Sequence, residues 1–187
     1  MKAIALNGSP RKNGNTEILC NHTLKAIAEE GIDTELIRIA DYNIKPCTGC
    51  DGCVKQERCG LEDDLFPIYL KMKAADAIIL ASPVYFGSAT AQTKALMDRT
   101  GYIGYWNRVF ERKVGGALVV ARRAGVNFTF AQLNYWFQIS GFIVPGSTYW
   151  NIAYGQKLGD VVRDEEGMKT AWNFGKNIAY LVNKLGA

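Results

Sequence analysis

Residues 77–81 read Ala-Ile-Ile-Leu-Ala, an apolar run with no alternation. A strand wetted on one face alternates, whereas one covered on both faces does not. The run therefore predicts a strand held between two layers. Ala3–Leu6 reads as a buried first strand, Thr34–Ile39 alternates and gives a second, residues 114–120 give a fourth and residues 142–144 a short fifth. Helical patterns lie between them. Ile18, Leu19, Thr23, Ile27 and Ala28 roughly share one face, closed by Gly31. Leu65, Ile68, Tyr69 and Met72 ride on a helix that Asp63 or Asp64 can cap. Further helices are predicted from about Ala89 to Arg99, from Phe128 to Ile139 and from Glu166 to Leu185. The aromatic connections at 102–112 and 148–158 carry no clear pattern. Strands alternating with helices imply a doubly wound α/β protein with a parallel sheet. Such sheets bind ligands beyond the carboxyl ends of their strands. The loops after the first four strands should gather there, cysteines and Gly-rich loop together.

The length of 187 residues favours one domain, 1–187, with a sizeable core. The formal charge of +4 is mildly basic, but the Lys and Arg residues are scattered, so no nucleic-acid surface is expected. No apolar run reaches transmembrane length, and the N-terminus enters directly into the first strand. These features point to a soluble cytoplasmic protein with no membrane partner, in which clustered cysteines serve as ligands or redox groups.

Four of the five cysteines, Cys47, Cys50, Cys53 and Cys59, fall in one short stretch with spacing C-x2-C-x2-C-x5-C. So many thiolates in a glycine-containing loop form a ligand set for a metal centre. Structural zinc commonly uses paired cysteines separated by a longer span, whereas successive two-residue gaps fit a cubane cluster better. Zinc and thiol or disulfide chemistry stay open on spacing alone. A second motif follows the first strand: Asn7-Gly8-Ser9-Pro10-Arg11-Lys12-Asn13-Gly14-Asn15-Thr16. It offers hydroxyl, amide and guanidinium donors and opens onto a helix N-terminus, where backbone N–H groups favour an anion. It is neither a Walker A loop nor G-x-G-x-x-G.

Gly8-Ser9-Pro10-Arg11 with Gly14-Asn15-Thr16, then Ser82-Pro83-Val84-Tyr85-Phe86-Gly87, then Lys94 and Met97-Asp98-Arg99, resemble the NADPH-dependent FMN reductase superfamily. The cysteine spacing narrows the likeness to its iron–sulfur flavoproteins. The resemblance implies a flavodoxin-like fold, a five-stranded parallel sheet of order 2-1-3-4-5 with helices on both faces. It implies FMN, its phosphate held by Ser9, Arg11, Asn15 and Thr16 on a loop shaped by Asn13 and Gly14. Pro83, Val84, Tyr85, Phe86 and Gly87 would line the ring and ribityl chain. Arg122 or Arg123, in the loop after the fourth strand, would steady the anionic reduced flavin. Cys47, Cys50, Cys53 and Cys59 would hold a [4Fe–4S] cluster. The implied activity is electron transfer between cluster and FMN, linking a ferredoxin-like donor or NAD(P)H to a small-molecule acceptor in a homodimer or homotetramer. The cluster of one subunit would face the flavin of another.

Two other functions are compatible with the same residues: an NAD(P)H-dependent flavin or quinone reductase that uses no cluster, and a zinc-stabilised scaffold or redox sensor. The remaining reactive groups take structural readings. Cys20 is expected in the core, His22 in solvent, and the four tryptophans in the core or an interface. Asp98 and Arg99 are expected to form an ion pair or interface feature.

Overall fold

β1 (Lys2–Asn7) is an inner strand of the sheet, with every residue after Lys2 buried. The computed structural model describes residues 1–186. Asp33–Arg38 forms β2, Ala77–Pro83 β3, Val114–Ala121 β4 and Ile152–Tyr154 β5. All pairings are parallel and the order is β2-β1-β3-β4-β5. The helices are α1 (Asn15–Ala28), a single turn α2 (Cys53–Gln56), α3 (Leu65–Ala74), α4 (Ala91–Asn107), α5 (Val126–Ile139) and α6 (Glu165–Leu185).

Period-2 geometry divides the core in two. Ile4, Leu6, Ile78, Leu80, Ala117 and Val119 face α3, α4 and α5. Ala3, Ala5, Ala77, Ile79, Leu118 and Val120 face α1 and α6. Each fully buried Ile, Leu or Val contributes about 1.5–3 kcal/mol. Gly115 and Gly116 in β4 admit rings on opposite faces. An added Cβ would stand 2.9 Å from Phe137 at Gly115 and 2.9 Å from Phe174 at Gly116.

Two predicted elements move. Residues 142–144 make only one bridge, Ile143 to Val114, and then meet Pro145 and Gly146. Proline has no N–H to continue a ladder, so the chain leaves the sheet and returns as β5 within the unassigned connection. α4 runs eight residues past its predicted end at Arg99, to Asn107. Gly101 and Gly104 read as helix-weakening residues, each disfavoured by about 1 kcal/mol against Ala. Their missing side chains are what the packing uses. A Cβ would stand 2.4 Å from Trp136 Nε1 at Gly101 and 2.4 Å from the Phe110 ring at Gly104.

Candidate functional site

The loop after β1 is shaped by side chains that bond back to its own backbone. Asn7 Oδ1 accepts from Ser9 N–H (2.9 Å) and Ser9 Oγ from Arg11 N–H (3.2 Å). Asn13 adopts a left-handed conformation (φ 54°), and its N–H donates to Glu17 Oε2 at 3.2 Å. Glu17 is nearly buried and pairs with Arg38 of β2 at 3.0 Å. Sequence reading missed Glu17, whose partners lie on both sides of it in the chain. Gly14 is the N-cap of α1 and supplies no capping side chain. The first-turn N–H groups of α1 therefore stay available to an anion.

A cavity of roughly 360 Å3 opens above this loop, within the range of cofactor sites. Its walls contain Ser9, Arg11, Asn15, Thr16, Pro83, Val84, Tyr85 and Arg122. Val120, Ala121, Gly155 and Gln156 complete it; the last two follow β5, the strand that periodicity misplaced. Asn13 and Gly14 shape the loop without lining the cavity. Asn15 is partly committed elsewhere, donating to Lys157 O (2.8 Å) and accepting from Val161 N–H (3.3 Å). It thus ties the 155–161 segment over α1.

Tyr85 and Ser88 exchange both backbone hydrogen bonds, at 2.8 and 3.1 Å, around Phe86 (φ 49°) and Gly87 (φ 81°). Two positive φ angles are the mark of a type I′ turn. The turn lifts Phe86 fully into solvent, outside the cavity wall. Gln132 of α5 steadies the segment, accepting from Ser88 Oγ (2.9 Å) and Ala89 N–H (3.0 Å). Thr90, the N-cap of α4, donates to Gly8 O at 2.8 Å and joins the two loops.

The four cysteines of the 47–59 stretch line one cavity, together with Arg99 and Tyr102 of α4. Their environments differ. Hydrogen bonding from Gly52, then Thr48, lowers the pKa of exposed Cys50, whereas burial, with the neighbouring thiols, raises that of Cys53. Among the described residues no three His, Cys, Asp or Glu side chains are gathered closely enough to hold a single metal ion. In number and kind the four thiols of the one cavity match the ligand set of a [4Fe–4S] cluster.

The expectation that these cysteines share the sheet edge with the β1 loop is corrected. Their stretch begins beyond β2 but is bonded to the second half of α4. Arg99 Nη1 donates to Lys45 O (3.1 Å), Tyr102 Oη to Asp51 Oδ1 (2.7 Å) and Asn107 Nδ2 to Cys53 O (3.4 Å). These positions recur along one side of the helix. Arg99 lies nine residues beyond Thr90, about 14 Å along the axis. The two cavities share no lining residue.

Arg99 and Asp63 form an ion pair whose side chains are 1% and 0% exposed. Asp63 also accepts from Lys45 N–H (2.8 Å) and Leu65 N–H (3.1 Å). Burial opposes its ionisation, but the Arg99 guanidinium and these two N–H groups outweigh it and hold the carboxyl below its usual pKa. The neighbouring Asp98 pairs with Lys94 instead.

A family model for NADPH-dependent FMN reductase matches residues 1–157. The chain belongs to the NADPH-dependent FMN reductase family. Within that family of flavin-dependent oxidoreductases it is similar to proteins named iron–sulfur flavoproteins. One from Methanocaldococcus jannaschii is 44% identical, covering 97% of each chain. One from Methanosarcina thermophila is 37% identical over 95% of this chain and 93% of the relative. Two solved structures share the fold: RosB with bound 8-demethyl-8-formylriboflavin-5'-phosphate (TM-score 0.78, 19% identity, 100% of this chain and 80% of that one) and a flavodoxin from the domain Archaea (TM-score 0.66, 17% identity, 98% and 99%). No described helix of this FMN reductase family member is long and apolar enough to cross a membrane.

Proposed function

We propose that the chain is an electron-transfer flavoprotein holding FMN in the cavity above β1, β3 and β4 and a [4Fe–4S] cluster on Cys47, Cys50, Cys53 and Cys59. The observation that carries this reading is the convergence of four thiols on one cavity in a chain that also presents a phosphate-type loop. Ser9, Arg11, Thr16 and the first-turn N–H groups of α1 hold the phosphate. Pro83, Val84 and Tyr85 wall the ring, and Arg122 places a positive charge beside the reduced flavin. When bound, a cluster exchanges one electron at a time and a flavin one or two, so the pair can connect a one-electron donor to a two-electron acceptor. The donor is a ferredoxin-like protein or NAD(P)H, and the acceptor a small molecule.

The separation of the two cavities along α4 supports a route from the cluster of one copy to the flavin of another. Tyr105 and Trp106, about half exposed beside the cysteine stretch, are suited to an interface between copies. The family's description supports a second reading, direct reduction of flavin by NADPH without the cluster. Full NADPH-driven flavin reduction in a variant lacking the four loop cysteines would favour it.

The test is anaerobic purification with iron, sulfide and FMN counts. About four irons and one FMN per chain are expected. Zinc in place of iron, or flavin without iron, overturns the cluster assignment. If Arg122→Ala leaves the flavin potential unmoved, the role given to that charge is wrong.

A further inference from the structure

Arg99 has five N–H donors in a fixed fork. Its Nη1 serves Lys45 O and Asp63, and its Nη2 serves Asp63 Oδ1 at 3.1 Å. Its Nε is buried and has no hydrogen-bond partner. An orphaned buried donor on a charged group carries a desolvation penalty. The residue is 2% exposed and lines the cavity of the four thiols. Cys59 lies against its guanidinium. Asp63 and Lys45, which grip the other side of the fork, flank the cysteine stretch at its two ends, so the guanidinium is held in place relative to the sulfurs.

We infer that Arg99 is the residue that tunes the cluster, its Nε–H donating to the Cys59 sulfur and favouring the reduced state. This rests on the reading of Cys47–Cys59 as a cluster site. Reduction adds one electron to the cluster from an external reductant. An N–H···S bond stabilises the more negative state and so raises the potential. The Asp63 carboxylate, buried on the opposite side of the fork, balances the guanidinium charge, so the N–H···S bond is what acts on the cluster. Arg58, adjacent to Cys59 in sequence, supplies the comparison. It is exposed and its guanidinium lies over the Phe66 ring, 4.8 Å from the centroid.

The experiment is an EPR-monitored redox titration of holoprotein with dithionite, comparing wild type, Arg99→Lys, Arg99→Gln and Arg58→Gln. Iron and sulfide counts on the wild type come first, since their absence defeats the cluster reading rather than this inference. The expected result is a cluster midpoint shifted to more negative potential in R99Q, a smaller shift in R99K, almost none in R58Q, and an FMN couple unchanged in all. An R99Q protein with full iron content and an unmoved midpoint overturns the inference, as does an equal shift in R58Q. Should R99Q take up no cluster, wild-type protein labelled with 15N in its arginine guanidinium groups decides the matter. Pulsed EPR of the reduced cluster is expected to show coupling to a guanidinium nitrogen that persists in R58Q, and no such coupling overturns the assignment.

Discussion

Asp63 shows how far a side chain's surroundings can depart from what its neighbours in sequence imply. Beside Asp64 and ahead of an apolar run it reads as a helix cap, and it does accept from Leu65 N–H. Its main partner, Arg99, lies 36 residues away and is buried with it. No local pattern announces a contact across that distance. Removing one partner of a buried pair leaves the other charge uncompensated, typically at 3–5 kcal/mol. Asp63→Asn is therefore expected to lower unfolding stability by about 3 kcal/mol at neutral pH, read from denaturant midpoints. Because the folded carboxyl titrates below its unfolded value, its contribution is present above the ordinary aspartate pKa and is lost as pH falls through the lowered one. The wild-type and D63N stability curves should converge in that acidic window. The thiols give a second residue-scale prediction. In protein stripped of metal, iodoacetamide should label Cys50 before Cys53, and Cys20 only on unfolding. Cys50 is exposed with a lowered pKa, while burial, and secondarily Glu17, pushes the Cys20 thiol far above its usual value. Mass spectrometry of peptides across a time course checks the order.

At the scale of elements, what was legible was whatever one element declares by itself. The unalternating run of β3, the Gly-rich turn after β1 and the four-thiol spacing each carry their meaning within a few residues. What stayed hidden depends on contact between elements. β5 is only three residues long and is defined by its pairing with residues 119–121 of β4. The second half of α4 is glycine-containing because Trp136 and Phe110 occupy the space. Gln132 sits mid-helix in α5, with nothing nearby to indicate that it holds the turn after β3. Its two hydrogen bonds contribute on the order of 1 kcal/mol in all to the turn's fixed shape. Gln132→Leu is expected to weaken FMN binding about tenfold while leaving the unfolding midpoint nearly unchanged. Fluorescence titration of apoprotein with FMN measures the first, and thermal unfolding without FMN the second.

For the whole molecule, α4 is bonded to the β1 loop at its N-cap and to the cysteine stretch in its second half, and the proposed passage of electrons between copies can be tested by mixing defects. A Cys50→Ser chain lacks one of the proposed cluster ligands, and a Ser9→Asp chain places a carboxylate at the proposed phosphate site. Each homomer should be inactive in acceptor reduction. Co-expressed in a dimer, half the assemblies are mixed and each has one working pair, so about a quarter of wild-type turnover should return. Turnover no higher than that of either variant alone would sink the route between copies. The helix has a further consequence. Thr90 is stitched to the β1 loop, and Arg99, Tyr102 and Asn107 to the cysteine stretch. The spacing from the β1 loop to the cysteine stretch that α4 spans is thus a length of rod rather than a loop dimension. It can change only in steps of about 1.5 Å, and only whole turns of about 5.4 Å keep the same side chains facing the thiols. A descendant of this chain that needed the two cavities closer together could not shorten the helix between them gradually; it would have to remove a whole turn or reshape the walls of the first cavity.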